Sequence, residues 1–407
     1  MVTTVLYNIF TGRNYWRTAP FAELAELYAA RFLRMVAHSI VGVMVAVFLY
    51  QKGYSLVEIM LFIGVYYVLR SIVSYFFAYY VAWVGPKRAT LMSNLLAIPS
   101  FIALTTIDQQ TTLSVIVYFF FSALSVSLYS IAADTQFSSV KHDHKVGHEI
   151  SWLHIVEKVA TGVSPLIGGV IAYLFGPEST MWIAAVLSIL AAFPLFMTPE
   201  RIRRKQRVMY QGLPWRAIRT QLVAGSAAGA DQVASGVTWS IFVSVVIFGT
   251  ATNAVYAKLG AVMSVSIIVS IVASHLYGKI IDRNSGPALF RAGVVVNSIL
   301  HILRPFVAAP VSVVLMNATN EVGTSAYQMP YMRSFYDEAD SLPGYRVAYV
   351  SMFMIVFCAG AAAFSFMTAG AIWLLGTENG LSLSFIVAAL YTLVLLRSGY
   401  GSLRVGN

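Results

Sequence analysis

Apolar residues run through this chain in long blocks that are broken by charged residues and by clusters of glycine and proline. Most blocks reach the length of about 20 residues that a helix needs to cross a bilayer. The pattern predicts twelve membrane-spanning helices with short connections and little room for a soluble domain. They lie near residues 28–50, 55–82, 87–107, 110–134, 150–175, 179–197, 217–248, 254–281, 287–307, 309–333, 344–375 and 380–397.

Composition also indicates an all-α integral membrane protein. Hydrophobic residues make up 58% of the 407 residues, charged residues only 11%, and the mean hydropathy is +0.73. These values lie outside the range of soluble domains. The first residues lack the pattern of a cleaved signal peptide, so we expect the first span to be retained. The single cysteine, Cys358, excludes an internal disulfide and a cysteine-ligated metal site.

Lysine and arginine are distributed unevenly between the two predicted faces of the membrane. With an even number of spans, both termini lie on one face, and the loops there hold most of the basic residues. The loops of the opposite face hold Lys52 and Arg304. The positive-inside rule therefore places both termini in the cytoplasm, and we expect the protein in the cell's inner (plasma) membrane. The net charge of +10 then reflects topology and contact with anionic lipids, not a nucleic-acid partner.

A basic stretch midway along the chain divides it into two halves. We predict a partly interfacial cytoplasmic segment at 1–27, a six-helix bundle at 28–197, a basic cytoplasmic linker at 198–216, a second six-helix bundle at 217–397 and a cytoplasmic tail at 398–407.

Short matches relate the two halves to each other. The serine, tyrosine and phenylalanine of "SLYSIAADTQF" (127–137) recur at the same spacing in "SAYQMPYMRSF" (325–335), 198 residues later. A Gly-Pro pair at 85–86 recurs at 286–287, an offset of 201. Because these offsets agree at equivalent helix ends, they indicate an internal repeat, and hence two pseudo-symmetric bundles.

Two motifs carry a resemblance to a known family. The loop after the eighth helix reads G-x-x-x-D-R-x-x-G, which is similar to the signature loop of the major facilitator superfamily. Its residues are Gly278, Asp282, Arg283 and Gly286. In the fifth helix, "ATGVSPLIGG" resembles that family's antiporter motif. The matching residues are Gly162, Pro165, Gly168 and Gly169, while Ala160 and Ser164 replace two glycines. The first-half copy of the loop departs from the family pattern, because Ala78, Ala82 and Trp83 stand where glycine, aspartate and arginine are usual.

With the helices, the linker and the repeat, this resemblance covers essentially the whole chain. It implies a secondary transporter that moves a small solute by alternating access around a midplane site between two bundles. The motif in the fifth helix favours efflux by proton antiport. Proton symport, facilitated uptake of a small metabolite and a non-transporting scaffold derived from the family are the alternatives. We expect a monomer whose partners are a small-molecule substrate, protons and lipids, with no cofactor and no catalytic or ATP-binding site.

The signature loop has a physical role that can be stated from its residues. We expect Asp282 to bind the N-terminus of the fifth helix and to latch the cytoplasmic side shut, since a carboxylate is stabilised at a helix N-terminus. Alternatively, Asp282 caps its own loop and Arg283 binds lipid phosphate. Gly162, Pro165 and Gly169 fall on one face of the fifth helix, which predicts a groove for helix packing.

Charges inside the predicted spans are candidates for function, because each costs about 2.5–3.5 kcal/mol to insert. At about 1.5 Å per residue, Arg34 and Glu157 lie about 9–12 Å from the cytoplasmic ends of their helices. Four further polar residues lie about 18–21 Å in, near the midplane. These four are Arg70, Asp231, Asn320 and Glu321.

Pairing can be predicted from these depths. We expect Glu157 to pair with Arg34 or Arg70, and Lys158 with Asp134, as structural contacts within the first half. Asp231 and Glu321 have no basic residue of their own half at comparable depth, so we predict that they face Arg70 and carry protons. Glu157 is a further proton-coupling candidate. The alternative for these carboxylates is a bond to helix backbone or to a neutral partner.

The remaining candidates supply polar walls or metal ligands. We predict substrate or counter-charge roles for Arg34, Arg70, Lys158, Tyr129, Gln232, Trp239, Asn317, Asn320 and Tyr327. His142, His144 and His148 have a spacing that would suit a divalent metal, but we favour a solvated cytoplasmic loop that docks on anionic lipid, and we predict no metal site.

Overall fold

The computed structural model describes residues 21–42, 45–107, 112–140, 146–196, 205–249, 254–342 and 344–398. Within these residues the chain forms twelve successive helical elements, α1 to α12, and no strand. The first half contains α1 (Phe21–Gly42 and Val45–Gln51), α2 (Leu56–Val84), α3 (Pro86–Thr105), α4 (Thr112–Val140), α5 (Val146–Phe175) and α6 (Pro177–Leu190, followed by the 3₁₀ turn Phe193–Phe196).

The second half repeats this order, with irregular turns added. It contains α7 (Trp215–Gln232, Trp239–Ile241 and the wider π turns Val233–Thr238 and Phe242–Phe248), α8 (Ala254–Ile280, then the π turn Ile281–Ser285), α9 (Gly286–Leu303, then Arg304–Phe306), α10 (Pro310–Ser341), α11 (Arg346–Leu375) and α12 (Thr377–Thr392, then Leu393–Arg397). Nine of the described helices are long and apolar enough to cross a membrane, and Pro177–Leu190 is a shorter apolar helix. The predicted all-α membrane fold is confirmed.

Several helices extend beyond their predicted ends. α10 continues to Ser341, whereas we placed its end at residue 333. We treated the charges that follow as a break, but Arg333 and Asp337 lie one turn apart and form an ion pair of 3.6 Å along the helix. α1 already includes Phe21, inside the segment that we assigned to the N-terminal region.

Short turns between helices explain two Gly-Pro pairs of the sequence. α2 ends at Gly85, whose φ of 93° suits glycine, and Pro86 opens α3. Gly176 and Pro177 repeat this arrangement between α5 and α6. At its start, α2 is capped by reciprocal hydrogen bonds between Ser55 and Glu58. These devices keep neighbouring helices antiparallel with almost no loop.

The two halves meet along two helix pairs, α2 with α11 and α5 with α8. At Gly169 of α5, a Cβ atom would come within 2.6 Å of the backbone oxygen of Tyr256, so the helices are closer there than any larger residue allows. The predicted groove on α5 therefore receives α8. On the other side, the Ser71 hydroxyl of α2 donates a 3.0 Å bond to the backbone oxygen of Ile355.

The halves touch near both faces of the bundle. We call the face where α1 begins and α12 ends the terminal face. Towards it, the Tyr336 hydroxyl of α10 donates a 2.9 Å bond to Asp134 of α4. Towards the opposite face, Tyr256 of α8 bonds Gln51 of α1 at 2.5 Å. Hydrogen bonds therefore join the halves near both faces, and we call this the closed conformation.

The linker between the halves also bridges them at the terminal face. The backbone N–H of Gln206 donates to the carbonyl of Ala82 in α2 at 3.0 Å. Tyr210 stacks on Tyr75 of α2, with 5.0 Å between ring centroids, and its hydroxyl lies 2.7 Å from that of Ser351 in α11. Burial raises the pKa of Tyr210 to about 12, so the phenol keeps its proton at neutral pH.

Candidate functional site

The polar residues inside the bundle form three groups. One lies within the second half around Asp231, one lies within the first half around Arg34 and Arg70, and the third joins the halves through Lys158 and Glu321. Sequence reasoning found a member of each group. It did not find how the members are paired.

The joining group is an ion pair between α5 and α10. The ammonium of Lys158 lies 2.7 Å from a carboxylate oxygen of Glu321, and the two side chains are 19% and 26% exposed. One turn along the same two helices, the His154 ring lies 3.2 Å from the hydroxyl of Ser325. Our expectation that Lys158 pairs with Asp134 is wrong, and so is the expectation that Glu321 faces Arg70. Both errors arise because the depth of a residue along its helix does not determine how the helix is rotated about its axis, and therefore which neighbouring helix the side chain faces.

The second-half group is built on Asp231 of α7, which is 2% exposed. Its carboxylate accepts bonds from Asn297 at 2.8 Å, from His301 at 2.6 Å, and from the hydroxyl of Tyr327. Ser235 donates a fourth, longer bond at 3.3 Å. The charge is therefore surrounded by donors from α7, α9 and α10, as a buried carboxylate requires.

A basic residue of the same half completes this group, contrary to our expectation that none lies there. Arg304 follows α9 and is fully buried, with one guanidinium nitrogen 2.8 Å from Nδ1 of His301. Since arginine can only donate, this Nδ1 atom accepts, and the opposite ring nitrogen of His301 donates to Asp231. The other guanidinium nitrogen donates to Asn320 at 2.8 Å. We had counted Arg304 with the basic residues of the opposite face, although the predicted span 287–307 includes it.

Aromatic and amide side chains close the second-half group. The Trp239 indole donates to Asn317 at 2.6 Å, and the guanidinium carbon of Arg304 lies 5.3 Å from the centre of the Trp239 ring. A cation over an indole face is attracted to it. Trp239 follows the π turn Val233–Thr238, and such turns in other proteins often occur at functional sites. Gln232, which we also predicted for this wall, is exposed.

Arg34 anchors the first-half group. Its guanidinium donates to Asn94 at 2.5 Å and to the hydroxyl of Ser125 at 3.0 Å, and it lies 4.1 Å from the centre of the Tyr129 ring. These partners are all neutral. Arg34 does not form the predicted pair with Glu157. Glu157 of α5 instead binds Arg31, which lies on α1 with Arg34. Arg31 was missed because it lies nearer the end of the predicted span.

Arg70 of α2 has the least satisfied charge of this group. It is 7% exposed, and its Nε atom is buried without a hydrogen-bond partner. Its guanidinium carbon lies 5.4 Å and 5.3 Å from the ring centres of Tyr66 and Tyr67, and the thiol of Cys358 in α11 is a further electrostatic neighbour. Among the described residues it forms no ion pair.

The first-half and second-half groups occupy equivalent places in the repeat. Arg34, Asn94 and Tyr129 lie on α1, α3 and α4, and they precede Asp231, Asn297 and Tyr327 by 197, 203 and 198 residues. The latter three lie on α7, α9 and α10. In each group the asparagine and the tyrosine contact the charged residue. The repeat has therefore kept the geometry and reversed the sign of the central charge.

A sequence model of the Major Facilitator Superfamily matches residues 27–365, which is most of the chain. The chain belongs to the Major Facilitator Superfamily. A comparison with curated protein sequences gives no significant match. The chain is a multi-pass integral membrane protein with the fold of a secondary transporter, and neither its family nor its fold is that of an enzyme.

Solved structures of this superfamily share the fold over almost the whole chain. The human organic anion transporter MFSD10 (TETRAN) is 11% identical, with a TM-score of 0.69 over 93% of this chain and 100% of the other. A POT family transporter in complex with a thioalcohol-conjugated peptide is 14% identical, with a TM-score of 0.67 over 92% and 95%. A bacterial homologue of the iron transporter ferroportin, in an outward-facing state, is 12% identical, with a TM-score of 0.67 over 91% and 98%.

The superfamily signature loop lies at the terminal face as the π turn Ile281–Ser285, which joins α8 directly to α9. Asp282 and Arg283 are exposed, whereas Gly278 and Gly286 are buried. The carbonyl of Ile281 accepts a 2.9 Å bond from Arg333. The turn lies beside α5. The latch between Asp282 and α5 stays a prediction.

The stretch of α5 that resembles the superfamily's antiporter motif forms close contacts with two helices. Gly168 faces the backbone of Ile40 in α1, where a Cβ atom would come within 2.8 Å, while Gly169 faces α8. Gly162 and Pro165 are buried. Of the histidine loop, His142 and His144 lie outside the described residues, as does the side chain of His148.

Proposed function

We propose that this chain is a proton-coupled secondary transporter that moves a small solute by alternating access, and that Glu321 is the principal proton carrier. The observation that carries the proposal is the ion pair between Lys158 and Glu321, which joins the two halves through α5 and α10. We further propose that the termini are cytoplasmic and that the protein lies in the inner (plasma) membrane.

The pair links protonation to movement of the halves. While Glu321 is ionised, separating α5 from α10 leaves two unpaired charges near the middle of the membrane, each of which costs about 2.5–3.5 kcal/mol on insertion scales. A proton on Glu321 removes the attraction and one of the charges. The two side chains are 19% and 26% exposed, so a proton has access to the pair. Proton binding therefore favours the separated conformations.

Asp231 and Glu157 are weaker candidates for this role. Asp231 accepts four hydrogen bonds from its own half and is 2% exposed, which suits an anchor that holds α7, α9 and α10 together. Glu157 pairs with Arg31 inside the first half, so its protonation does not release one half from the other. We propose Asp231 as a secondary carrier only.

Antiport is the direction that we propose, with solute leaving as protons enter. The support for it is the motif on α5, whose small residues let α5 approach α1 and α8 closely. The similar structures include a human organic anion transporter and a POT family transporter in complex with a conjugated peptide. They support a small solute as substrate.

The test uses the full chain in proteoliposomes that contain a trapped pH-sensitive dye. Candidate solutes are added in groups, and proton movement is recorded for each. We expect one group to drive protons against the direction of solute movement, and Glu321→Gln to abolish this movement while leaving solute exchange intact. Glu157→Gln is the matched control and should keep the coupling.

Three results would change the proposal. Protons that move together with the solute would replace antiport by symport. Solute movement without any proton movement would indicate facilitated uptake. Coupling that survives Glu321→Gln would exclude Glu321 as the carrier.

A further inference from the structure

The charges inside the first half do not balance. Apart from the buried ion pair of Lys87 with Glu26, the described residues of this interior and its contact with α10 include four cations and three carboxylates. The cations are Arg31, Arg34, Arg70 and Lys158, and the carboxylates are Asp134, Glu157 and Glu321. Two of the carboxylates are in ion pairs with Arg31 and Lys158, and Asp134 accepts a bond from Tyr336. Arg34 and Arg70 therefore keep charges that no described carboxylate neutralises.

The second half shows that the repeat can neutralise such a charge. The equivalent of Arg34 is Asp231, and Arg304 balances it through His301 within the same half. The residue 203 positions before Arg304, which is Phe101, carries no charge. The first half has thus kept a buried cation without a partner, although an unneutralised buried charge costs several kcal/mol.

Arg70 offers a free binding group to a ligand. Its side chain is 93% buried, its Nε atom lacks a hydrogen-bond partner, and its neighbours in space are phenol rings and the Cys358 thiol of α11. α2 and α11 pack across the contact between the halves, so this group lies at that contact. α4 links it to Arg34, because the Ser125 hydroxyl accepts a 3.0 Å bond from Arg34 and the Ser127 hydroxyl donates a 3.4 Å bond to the backbone oxygen of Arg70. We therefore treat the two cations as one site.

We propose that the substrate is a small, water-soluble organic anion whose charged group binds Arg70, with Arg34 as the second cation. This inference rests on the proposed transport function and names its substrate class. A carboxylate or phosphate would supply the missing negative charge and accept the unused Nε hydrogen of Arg70, a pairing for which the geometry of arginine is well suited. The rings of Tyr66 and Tyr67 would contact an apolar part of the anion.

Binding can be tested without transport. The purified full chain in neutral detergent is unfolded thermally with benzoate, succinate or phenyl phosphate, and with the neutral benzamide and succinamide for comparison. We expect at least one anion, and neither neutral compound, to raise the unfolding temperature saturably. Arg70→Gln should weaken that anion at least tenfold, as expected for a lost charge-assisted bond, and Arg70→Lys should recover part of it. The exposed Arg291 of α9 provides a control of equal charge change, and Arg291→Gln should bind normally.

The stability of the ligand-free variants separates binding from a structural role. Because Arg70 has no described ion-pair partner, Arg70→Gln should unfold at the same or a higher temperature than the unsubstituted protein. Arg31→Gln, which leaves Glu157 unpaired, should unfold at a lower temperature.

Four results would overturn the proposal. These are no stabilisation by any of the three anions, equal stabilisation in Arg70→Gln, equal stabilisation by the neutral compounds, or a lower unfolding temperature of ligand-free Arg70→Gln. Since the assay involves no proton movement, it can fail while Glu321 still couples transport to protons, or succeed while that coupling fails.

Discussion

The ion pair between Lys158 and Glu321 gives the most direct prediction about conformational change. In the closed conformation its charges are 2.7 Å apart. At an effective dielectric constant of about 20, their attraction is about 6 kcal/mol. The cost of desolvating the two charges offsets most of this attraction. Because both side chains are partly exposed, we take the net stabilisation of the closed conformation by the pair as about 2 kcal/mol. Removing either charge should therefore raise the ratio of open to closed molecules about 30-fold.

Distances between spin labels on the two halves can measure this ratio. Met92 of α3 and Ala288 of α9 are exposed near the terminal face, and Leu113 of α4 and Val311 of α10 are exposed near the opposite face. Each pair is replaced by cysteines in a Cys358→Ala background, because Cys358 is the only native cysteine. We expect Glu321→Gln to broaden or lengthen the distance distribution at one of the two faces.

The controls isolate the pair itself. Glu157→Gln breaks a neighbouring ion pair within one half, so it should leave both distances unchanged. Lys158→Glu combined with Glu321→Lys restores opposite charges and should return the distances towards those of the native protein. Acidification of the native protein should act in the same direction as Glu321→Gln. Unchanged distances at both faces in Glu321→Gln would refute the reasoning.

Three further predictions concern packing, the buried arginine and the linker. Gly360→Ala would place a Cβ atom 2.0 Å from the backbone of α7, so we expect thermal unfolding to show a loss of about 1–3 kcal/mol, whereas Gly370→Ala on the same helix meets nothing and should be neutral. Arg304→Met should cost about 3–5 kcal/mol in denaturant unfolding, because it leaves Asp231 buried without its cation; a loss no greater than that of the exposed Arg291→Met would contradict the assignment. Tyr210→Ala should speed trypsin cleavage within the linker by on the order of tenfold, and an unchanged rate would show that the ring does not hold it.

The helices could be predicted because the membrane imposes a simple rule on the sequence. Every backbone polar group in the bilayer must be bonded within the helix, so apolar length alone identifies a span. The rule failed at helix ends that leave the apolar layer. α10 continues through Arg333, Asp337 and Glu338, where ion pairing along the helix replaces hydrophobicity as the stabilising contact.

Pairing inside the site could not be predicted in the same way. Depth along a helix follows from counting residues, but the partner of a charge depends on how each helix is rotated about its axis. Arg31 and Arg34 differ by only one turn in depth, yet they point about 60° apart and bind Glu157 and Asn94 respectively. Arg304 is a stronger case, because its burial depends on acceptors from α7, α9 and α10 that no local pattern reveals.

α10 connects the polar groups to each other. Asn320 and Tyr327 are seven residues apart and share one face of the helix, which contacts Arg304 and Asp231. Glu321 and Ser325 lie on the next face, about 100° further round, and contact Lys158 and His154 of the other half. A rotation or tilt of α10 therefore cannot change one set of contacts without straining the other.

The opposite charges of Arg34 and Asp231, at equivalent positions of the repeat, give the two halves different roles. Asp231 is already satisfied by its own half, so the second half can move as a stable unit with α10 attached to it. Arg34 and Arg70 are not neutralised by described residues of the first half, so binding of an anion would stabilise the first half more than the second. Such an anion would reduce the net positive charge that the first half presents to Glu321 across the contact between the halves. Substrate and proton would then both change the attraction between the halves, which is the condition for coupling their movements in a transporter.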